Sequence, residues 1–183
     1  MQRPLLIKVV EFFIEDPYRE VYLRELAKRL KISPYAAKSY ADFLIKNGVI
    51  NEKRTANIRY FKPNKSNLFF KYLKIAFSVK KIIESGLVDF LKREISNLSS
   101  ITLFGSAAKG EDDDKSDIDL VVICKDRYTD LSKFEAKLNK KLSLHVFSWS
   151  EWNRKAKEDN PFYYEVIAYG IPLFGDLPLV RWK

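Results

Sequence analysis

Cysteine is nearly missing from this sequence, since Cys124 is the only one in 183 residues. A single cysteine excludes an intrachain disulfide and is typical of proteins of the reducing cytoplasm, where we expect this one. Long apolar runs are missing as well. No window of about 18 apolar residues occurs, so we expect no transmembrane helix and no membrane partner. The first residues lack the layout of a signal peptide because Glu11 interrupts the apolar stretch.

Acidic residues are scarce only in the first third of the chain. The segment 1–65 holds 14 Lys and Arg residues against 7 Asp and Glu residues, a net charge of +7. The remaining residues hold 19 basic against 17 acidic side chains, a net charge of +2. A local excess of positive charge favours a polyanionic partner, so we expect one for the first third.

Hydrophobic spacing and turn residues predict three helices and a β-hairpin in this basic segment. Ser33 and Pro34 have the residue types of an N-cap and a first helical turn, which fixes the start of the third helix. Three helices followed by a hairpin resemble a winged helix-turn-helix domain. The predicted elements are helices over Pro4 to Glu15, 23–30 and Pro34 to Gly48, then strands Val49–Lys53 and Ile58–Phe61 around a turn at 54–57.

The winged-helix resemblance implies that the third helix and the hairpin contact DNA. Ala37 and Ala41 belong to the inward stripe of the third helix, and such small residues let a helix pack closely while its outer face enters a major groove. The basic hairpin side chains suit phosphate contacts rather than base recognition. The alternative is a winged helix that serves only protein contacts. The candidate DNA-binding residues are Tyr35, Lys38, Ser39, Lys53, Arg54 and Arg59.

Residues of the second half predict a phosphate site next to a metal site. The apolar run from Ile101 to Phe104 predicts a buried strand that ends in a Gly105-Ser106 turn, where the backbone can approach a phosphate closely. A second strand carries Asp117 and Asp119 at alternate positions, so both carboxylates point to the same face. A divalent cation would join them. This combination is typical of phosphoryl or nucleotidyl transfer.

Gly105-Ser106, ten intervening residues and Asp117-x-Asp119 resemble the signature of the nucleotidyltransferases of the DNA polymerase beta superfamily, in particular the minimal nucleotidyltransferases of bacteria and archaea. The resemblance covers roughly the second half of the chain. The ordinary alternative is a strand and turn with two surface aspartates.

The superfamily resemblance implies a mixed sheet flanked by helices, an NTP substrate such as ATP, and two Mg²⁺ ions, with Mn²⁺ as the alternative. The acceptor would be a hydroxyl group on a protein or a nucleic acid. A toxin is one such protein, because some minimal nucleotidyltransferases act as antitoxins by adenylylating a partner. The implied nucleotide-binding residues are Gly105, Ser106, Lys109 and Ser116, and the implied metal ligands are Asp117 and Asp119.

One feature of the superfamily is missing from the chain. Active members generally carry a third carboxylate on the strand after the aspartate pair, and the predicted strand 142–147 has no acid. His145 on that strand could serve as a nitrogen ligand or a base, which makes Asp117, Asp119 and His145 the candidate catalytic residues. A lone histidine with a purely structural role is the alternative. Without the third acid, the chain could instead be a DNA-binding transcriptional regulator whose degenerate transferase domain only binds nucleotide or dimerises.

The sequence therefore predicts an α+β protein with an N-terminal winged helix-turn-helix and a C-terminal nucleotidyltransferase-like domain. The predicted boundaries are 1–65 for the winged helix, 66–97 for a helical connector and 98–183 for the transferase-like domain. The connector helix over 68–83 is apolar on more than one side, which predicts burial between the two domains or in a homodimer contact.

Overall fold

The computed structural model of the protein describes residues 5–125 and 130–180. The chain divides into two compact units, Met1–Phe77 and Ser78–Lys183, each of which is described by itself. This division falls inside the segment predicted as a connector. Pro4, the predicted first residue of the first helix, lies outside the described residues.

The first unit contains the three helices and the hairpin that the sequence predicts, together with a short strand before the second helix. Its three strands form an antiparallel sheet in the order β1-β3-β2. The elements are α1 (Leu5–Glu15), β1 (Val21–Tyr22), α2 (Leu23–Leu30), α3 (Pro34–Lys46), β2 (Ile50–Thr55) and β3 (Ile58–Pro63).

Helix α3 begins and packs for reasons that are visible in its sequence. The Ser33 side chain accepts a hydrogen bond of 3.1 Å from the backbone N–H of Ala36, and proline occupies the first turn. Ala37 and Ala41 are fully buried in the core of this unit, so the helix lies close to its neighbours. The side chains on the opposite face of α3 are left at the surface.

The hairpin turn is shorter than the sequence predicts. Strand β2 continues to Thr55, which pairs with Ile58, so the turn consists of Ala56 and Asn57 rather than residues 54–57. Ala56 takes a positive φ of 51°. Two-residue hairpin turns need this left-handed backbone conformation, which glycine usually adopts. Because the position holds alanine, the sequence did not indicate a two-residue turn. Arg54 and Arg59 consequently face each other as a cross-strand pair.

Helix α4 (Leu68–Ser85) starts in the first unit and ends in the second. The second unit is a four-stranded mixed sheet with strand order β6-β5-β4-β7, in which β5 and β6 are parallel and the other neighbours are antiparallel. This confirms the predicted mixed sheet with helices. The further elements are α5 (Leu87–Glu94), β4 (Ser100–Phe104), α6 (Gly105–Lys109), β5 (Ile118–Ile123), α7 (Ser132–Leu138), β6 (Leu142–Phe147), α8 (Trp149–Lys157), α9 (Pro161–Tyr169) and β7 (Ile171–Phe174).

Strand β5 is buried on both faces. Leu120 and Val122 point into one apolar cluster, whereas Val121 and Ile123 point into another that includes Trp152 from α8. Asp119 belongs by its alternation to the second of these faces. The strand therefore brings a carboxylate to the edge of an apolar cluster. Across the described residues, no helix has the length and apolar character needed to cross a membrane.

Candidate nucleotide site

The segment after β4 is a short helix instead of the predicted turn. Strand β4 is buried along its whole length and ends at Phe104, and α6 begins directly at Gly105 with a φ of +70°. The N-cap residue of this helix, Phe104, makes no side-chain hydrogen bond to its first turn. The first N–H groups of a helix have no acceptor within the helix, so they are available to an acceptor from outside it.

Gly105 and Asp119 are in direct contact. Phe104 and Asp119 are cross-strand partners, which brings the Asp119 carboxylate under the first residue of α6. A Cβ atom built on Gly105 would collide with Oδ2 of Asp119, and the positive φ already disfavours any other residue. Glycine is therefore needed here for two reasons, the backbone conformation and the space that the carboxylate occupies.

The Asp119 carboxyl lies in surroundings that oppose its negative charge. Burial raises the pKa of Asp119 above its ordinary value, and the negative charges of Asp117 and Glu165 raise it further. The electrostatic effect of the His145 imidazole and a hydrogen bond from Ser143 lower the pKa of Asp119. Carboxylates brought together against their own repulsion are typical of sites that hold a cation.

Asp117 does not lie on the strand that the sequence assigned to it. Strand β5 begins at Ile118, so Asp117 is an exposed residue of the preceding loop and strict strand alternation does not apply to it. Its charge nevertheless raises the pKa of Asp119. Loop backbone thus brings the two carboxylates near each other, where the sequence analysis expected strand geometry to do so.

Strand β6 lies beside the aspartate strand, as the sequence predicts. Ser143 is the register partner of Asp119, and His145 is the register partner of Val121. The Ser143 hydroxyl lies 3.1 Å from Nε2 of His145. The imidazole also packs against two aromatic rings, those of Phe104 and Phe162, with centroid distances of 5.3 and 5.2 Å. His145 therefore has both a packing role and a polar link toward Asp119.

Lys109 is paired with an acid that the sequence analysis missed. Its Nζ atom lies 2.6 Å from Oε1 of Glu165 on α9 and 4.9 Å from the ring centroid of Tyr169. The hydrogen bond to Glu165 raises the pKa of Lys109 above its ordinary value. Glu165 is the only charged residue in the otherwise apolar helix Pro161–Tyr169, and that isolation was the available sequence signal.

Ser116 is hydrogen-bonded within its own loop. Its hydroxyl is hydrogen-bonded to Oδ1 of Asp113 at 2.9 Å, and it accepts the backbone N–H of Asp113 at the same distance. Lys140 ties the same loop down through Oδ2 of Asp112 at 2.8 Å. The Ser116 hydroxyl is thus engaged within its own loop, and its nucleotide-binding role stays a prediction.

The residues around Asp119 fit a metal that is shared with a ligand. In residues 5–125 and 130–180, no three or more His, Cys, Asp or Glu side chains are grouped to hold a metal by themselves. Asp117 and Asp119 supply carboxylate oxygens, the ligand type that Mg²⁺ prefers. Mg²⁺ is commonly held by one or two carboxylates together with substrate phosphates, so two carboxylates beside a free helix start satisfy this pattern.

The candidate DNA-binding residues of the first unit fall into two groups. Tyr35 is 83% exposed, and Lys38, Ser39 and Lys53 are exposed as well. Arg59 is different, because its side chain is 18% exposed and its guanidinium group pairs with both Asp42 and Glu52.

Glu52 also binds the guanidinium group of Arg54 at 2.6 Å, although the Arg54 side chain is 70% exposed. Hydrogen bonds from Arg59 and Arg54 lower the pKa of Glu52 to about 2. Arg59 is thus engaged within the unit, whereas Lys38 and Lys53 present their side chains to solvent.

The sequence matches the family described as "Polymerase beta, Nucleotidyltransferase" over residues 85–176, half of the chain. The chain belongs to this nucleotidyltransferase family, whose superfamily generally uses divalent metal ions. The match includes every residue of the candidate nucleotide site.

Among solved structures, the chain is similar to a toxin-antitoxin crystallised with AMP-PNP. It is 24% identical over 54% of this chain and 73% of that chain, with a TM-score of 0.36. A variant of the toxin-antitoxin MntA-HpeT is 24% identical over 51% of this chain and 72% of that chain, with a TM-score of 0.35. No curated protein matches the sequence.

Proposed function

We propose that the second unit transfers a nucleoside monophosphate from an NTP, ATP first, to a hydroxyl group on a protein or a nucleic acid. The contact between Gly105 and Asp119 supports this most directly, because it places a carboxylate at a helix start that its N-cap residue leaves uncapped. A phosphate at the helix start and a cation at the carboxylate would then be neighbours. Membership of the nucleotidyltransferase family agrees with the proposal.

Each residue of the site would have a separate role. Asp117 and Asp119 would hold Mg²⁺ or Mn²⁺, which neutralises phosphate charge when bound. The backbone N–H groups that begin with Gly105, the Ser106 hydroxyl and the Lys109 ammonium would bind the NTP phosphates. The acceptor oxygen attacks the α-phosphorus, the bond to the β-phosphate oxygen breaks, and pyrophosphate leaves with the electron pair.

The proton of the acceptor hydroxyl also needs a base. Strand β6 carries no acid, but it carries Ser143 and His145, which are linked to each other and lie on the side of Asp119. We propose that neutral imidazole takes the proton, as histidine commonly does near neutral pH. Ser143 would hold the imidazole relative to Asp119.

We propose that the first unit is a winged helix that binds DNA. Three observations support this: the order of its helices and hairpin, the excess of positive charge in 1–65, and the exposure of Tyr35, Lys38 and Lys53. DNA binding would bring a nucleic-acid acceptor, or a protein acceptor such as a toxin bound near DNA, to the transferase. The pairing of Arg59 favours a structural role for that residue.

A direct test is transfer of label from α-³²P-labelled NTPs in the presence of Mg²⁺, with host-cell extract supplying the acceptor. We expect labelled product with the wild-type chain and none with the double variant Asp117→Asn/Asp119→Asn. His145→Ala should lower the rate without abolishing nucleotide binding. Equal labelling by the wild type and the double variant would contradict the proposal.

A second candidate function follows from the acid-free strand β6. Under this alternative, the chain is a DNA-binding regulator whose second unit binds nucleotide or dimerises without transferring anything. The same assay separates the two functions, because a regulator would bind a labelled NTP and leave every acceptor unlabelled.

A further inference from the structure

Helix α9 presents a single charged side chain to the candidate site. Glu165 is partly buried, and its carboxylate binds Lys109 Nζ at 2.6 Å. The remaining residues of this helix are apolar or aromatic, and Tyr163 and Val166 lie in the core. The position of Glu165 is therefore fixed by the packing of the helix that carries it.

Stability alone does not account for this ion pair. The Lys109 and Glu165 side chains are 29% and 38% exposed, and ion pairs at that level of exposure contribute little to folding. The structural benefit of placing an acid here is therefore small.

What the pair achieves is to fix the Lys109 ammonium. A lysine side chain has four rotatable bonds, so fixing it when a ligand binds costs conformational entropy. This cost is smaller if the side chain is already ordered before the ligand binds. Glu165 holds Nζ from one side, and Tyr169, one helical turn further along α9, places its ring 4.9 Å from the same atom. Lys109 is itself the last residue of α6, the helix that begins at Gly105.

We propose that Glu165 is a positioning residue that orders Lys109 for the phosphates of the nucleotide. The proposal rests on the nucleotidyltransferase function proposed above. Lys109 retains two further N–H donors for phosphate oxygens while Glu165 occupies the third. Glu165 itself does not contact the nucleotide and acts only through Lys109.

The test measures binding of α,β-methylene-ATP with Mg²⁺ to the full chain by isothermal titration calorimetry. This analogue cannot be cleaved between the α- and β-phosphates, so the readout is affinity and not turnover. We expect Lys109→Met to weaken binding about tenfold, the value of one charge-assisted hydrogen bond. Glu165→Gln keeps the shape of the side chain and removes its charge, and it should weaken binding about threefold to fivefold through looser ordering of Lys109.

The double variant Lys109→Met/Glu165→Gln is the decisive sample. If Glu165 acts only through Lys109, the double variant binds like Lys109→Met alone. Asp89→Asn is the matched control, since it removes a carboxylate from another exposed ion pair, with Lys92, and should leave affinity unchanged. Circular dichroism of each variant checks that the fold is retained.

Three results would overturn the positioning role. Unchanged or tighter binding by Glu165→Gln would make Glu165 a bystander or a competitor of the phosphates, with the transferase proposal intact. Additive losses in the double variant would mean that Glu165 acts independently of Lys109. No binding by the wild-type chain would remove the proposed function and this inference together.

Discussion

Glu52 in the first unit and Asp119 in the second are both partly buried carboxylates, and their surroundings act on them in opposite directions. Hydrogen bonds from Arg59 and Arg54 lower the pKa of Glu52 to about 2. Burial, followed by the charges of two other acids, raises the pKa of Asp119. The first carboxylate is fully compensated by the protein, whereas the second is compensated only in part.

The difference between Glu52 and Asp119 distinguishes a structural carboxylate from a candidate functional one. A charge that is satisfied by internal partners stabilises the fold that holds it. A charge that is left without enough compensation costs stability and is typical of a site that binds an ion or a ligand. We therefore interpret Glu52 as a carboxylate that stabilises its own unit, and we propose that Asp119 is one that binds a cation.

Among the substitutions considered, replacing Gly105, which contacts Asp119, should have the largest effect on stability and nucleotide binding. Gly105→Ala places a Cβ against Oδ2 of Asp119 and forces alanine into a positive φ, so we expect a loss of about 1–3 kcal/mol in unfolding free energy. Nucleotide binding should be lost with it, because the carboxylate must move. Chemical denaturation and calorimetry measure the two effects.

Gly86→Ala is the matched control for Gly105→Ala. Gly86 has a φ of +80°, and a Cβ built there meets no atom within 4 Å. It therefore reports backbone strain without a collision, and it should leave nucleotide affinity unchanged. Equal effects of the two substitutions on affinity would show that contact with Asp119 has no part in the site.

The exposed basic residues of the first unit should contribute more to DNA binding than Arg59, which is paired within the unit. Lys38→Ala and Arg54→Ala should each weaken DNA binding severalfold and reduce the salt dependence by about one counterion. Arg59→Ala should affect DNA binding less and thermal stability more, because Arg59 pairs with Asp42 and Glu52. Fluorescence anisotropy over a range of salt concentrations measures the first effect. A large loss of DNA binding at constant stability in Arg59→Ala would reverse this assignment.

The acid dependence of the first unit should give the smallest effect, since the Glu52 network is partly solvated. The pKa of Glu52 is about 2 in the folded state and 4.5 when unperturbed, so the unfolded state binds the proton more readily. The stabilisation is complete above about pH 4.5 and is lost as the pH falls toward 2.

Glu52→Gln tests the acid dependence. It should lower stability at neutral pH and flatten the fall between pH 4.5 and 2, as measured by urea unfolding at a series of pH values. An unchanged pH profile would mean that other carboxyl groups govern acid unfolding.

Local patterns in the sequence predicted most of the helices and strands. The errors concern the exact positions of turns and strand ends, which local patterns do not determine. The alternating and continuous apolar runs indicated β4, β5 and β6 and placed β6 beside β5. The hairpin turn was misplaced because Ala56 adopts a left-handed conformation without the usual glycine. Asp117 was assigned to a strand because spacing alone does not fix where a strand begins.

The sequence predicted the Gly105 and Asp119 pair of the candidate site, but it did not predict Glu165. Gly105 and Asp119 lie at the ends of a 15-residue motif whose two strands are adjacent in the sheet, so the sequence pattern captures both residues. Glu165 is 56 residues from Lys109 in sequence, and only the packing of α9 brings it there. The nucleotide-binding role of Ser116 stays a prediction, and its hydroxyl is hydrogen-bonded to Asp113 in the same loop.

Mn²⁺ binding in the presence of α,β-methylene-ATP, followed by electron paramagnetic resonance, tests the central claim that Asp119, whose charge is compensated only in part, binds a cation. The wild-type chain should bind Mn²⁺ with the nucleotide, Asp119→Asn should lose that binding, and Glu52→Gln should keep it. If Asp119→Asn binds Mn²⁺ and nucleotide as tightly as the wild type, Asp119 is a structural carboxylate and the account of this site is wrong.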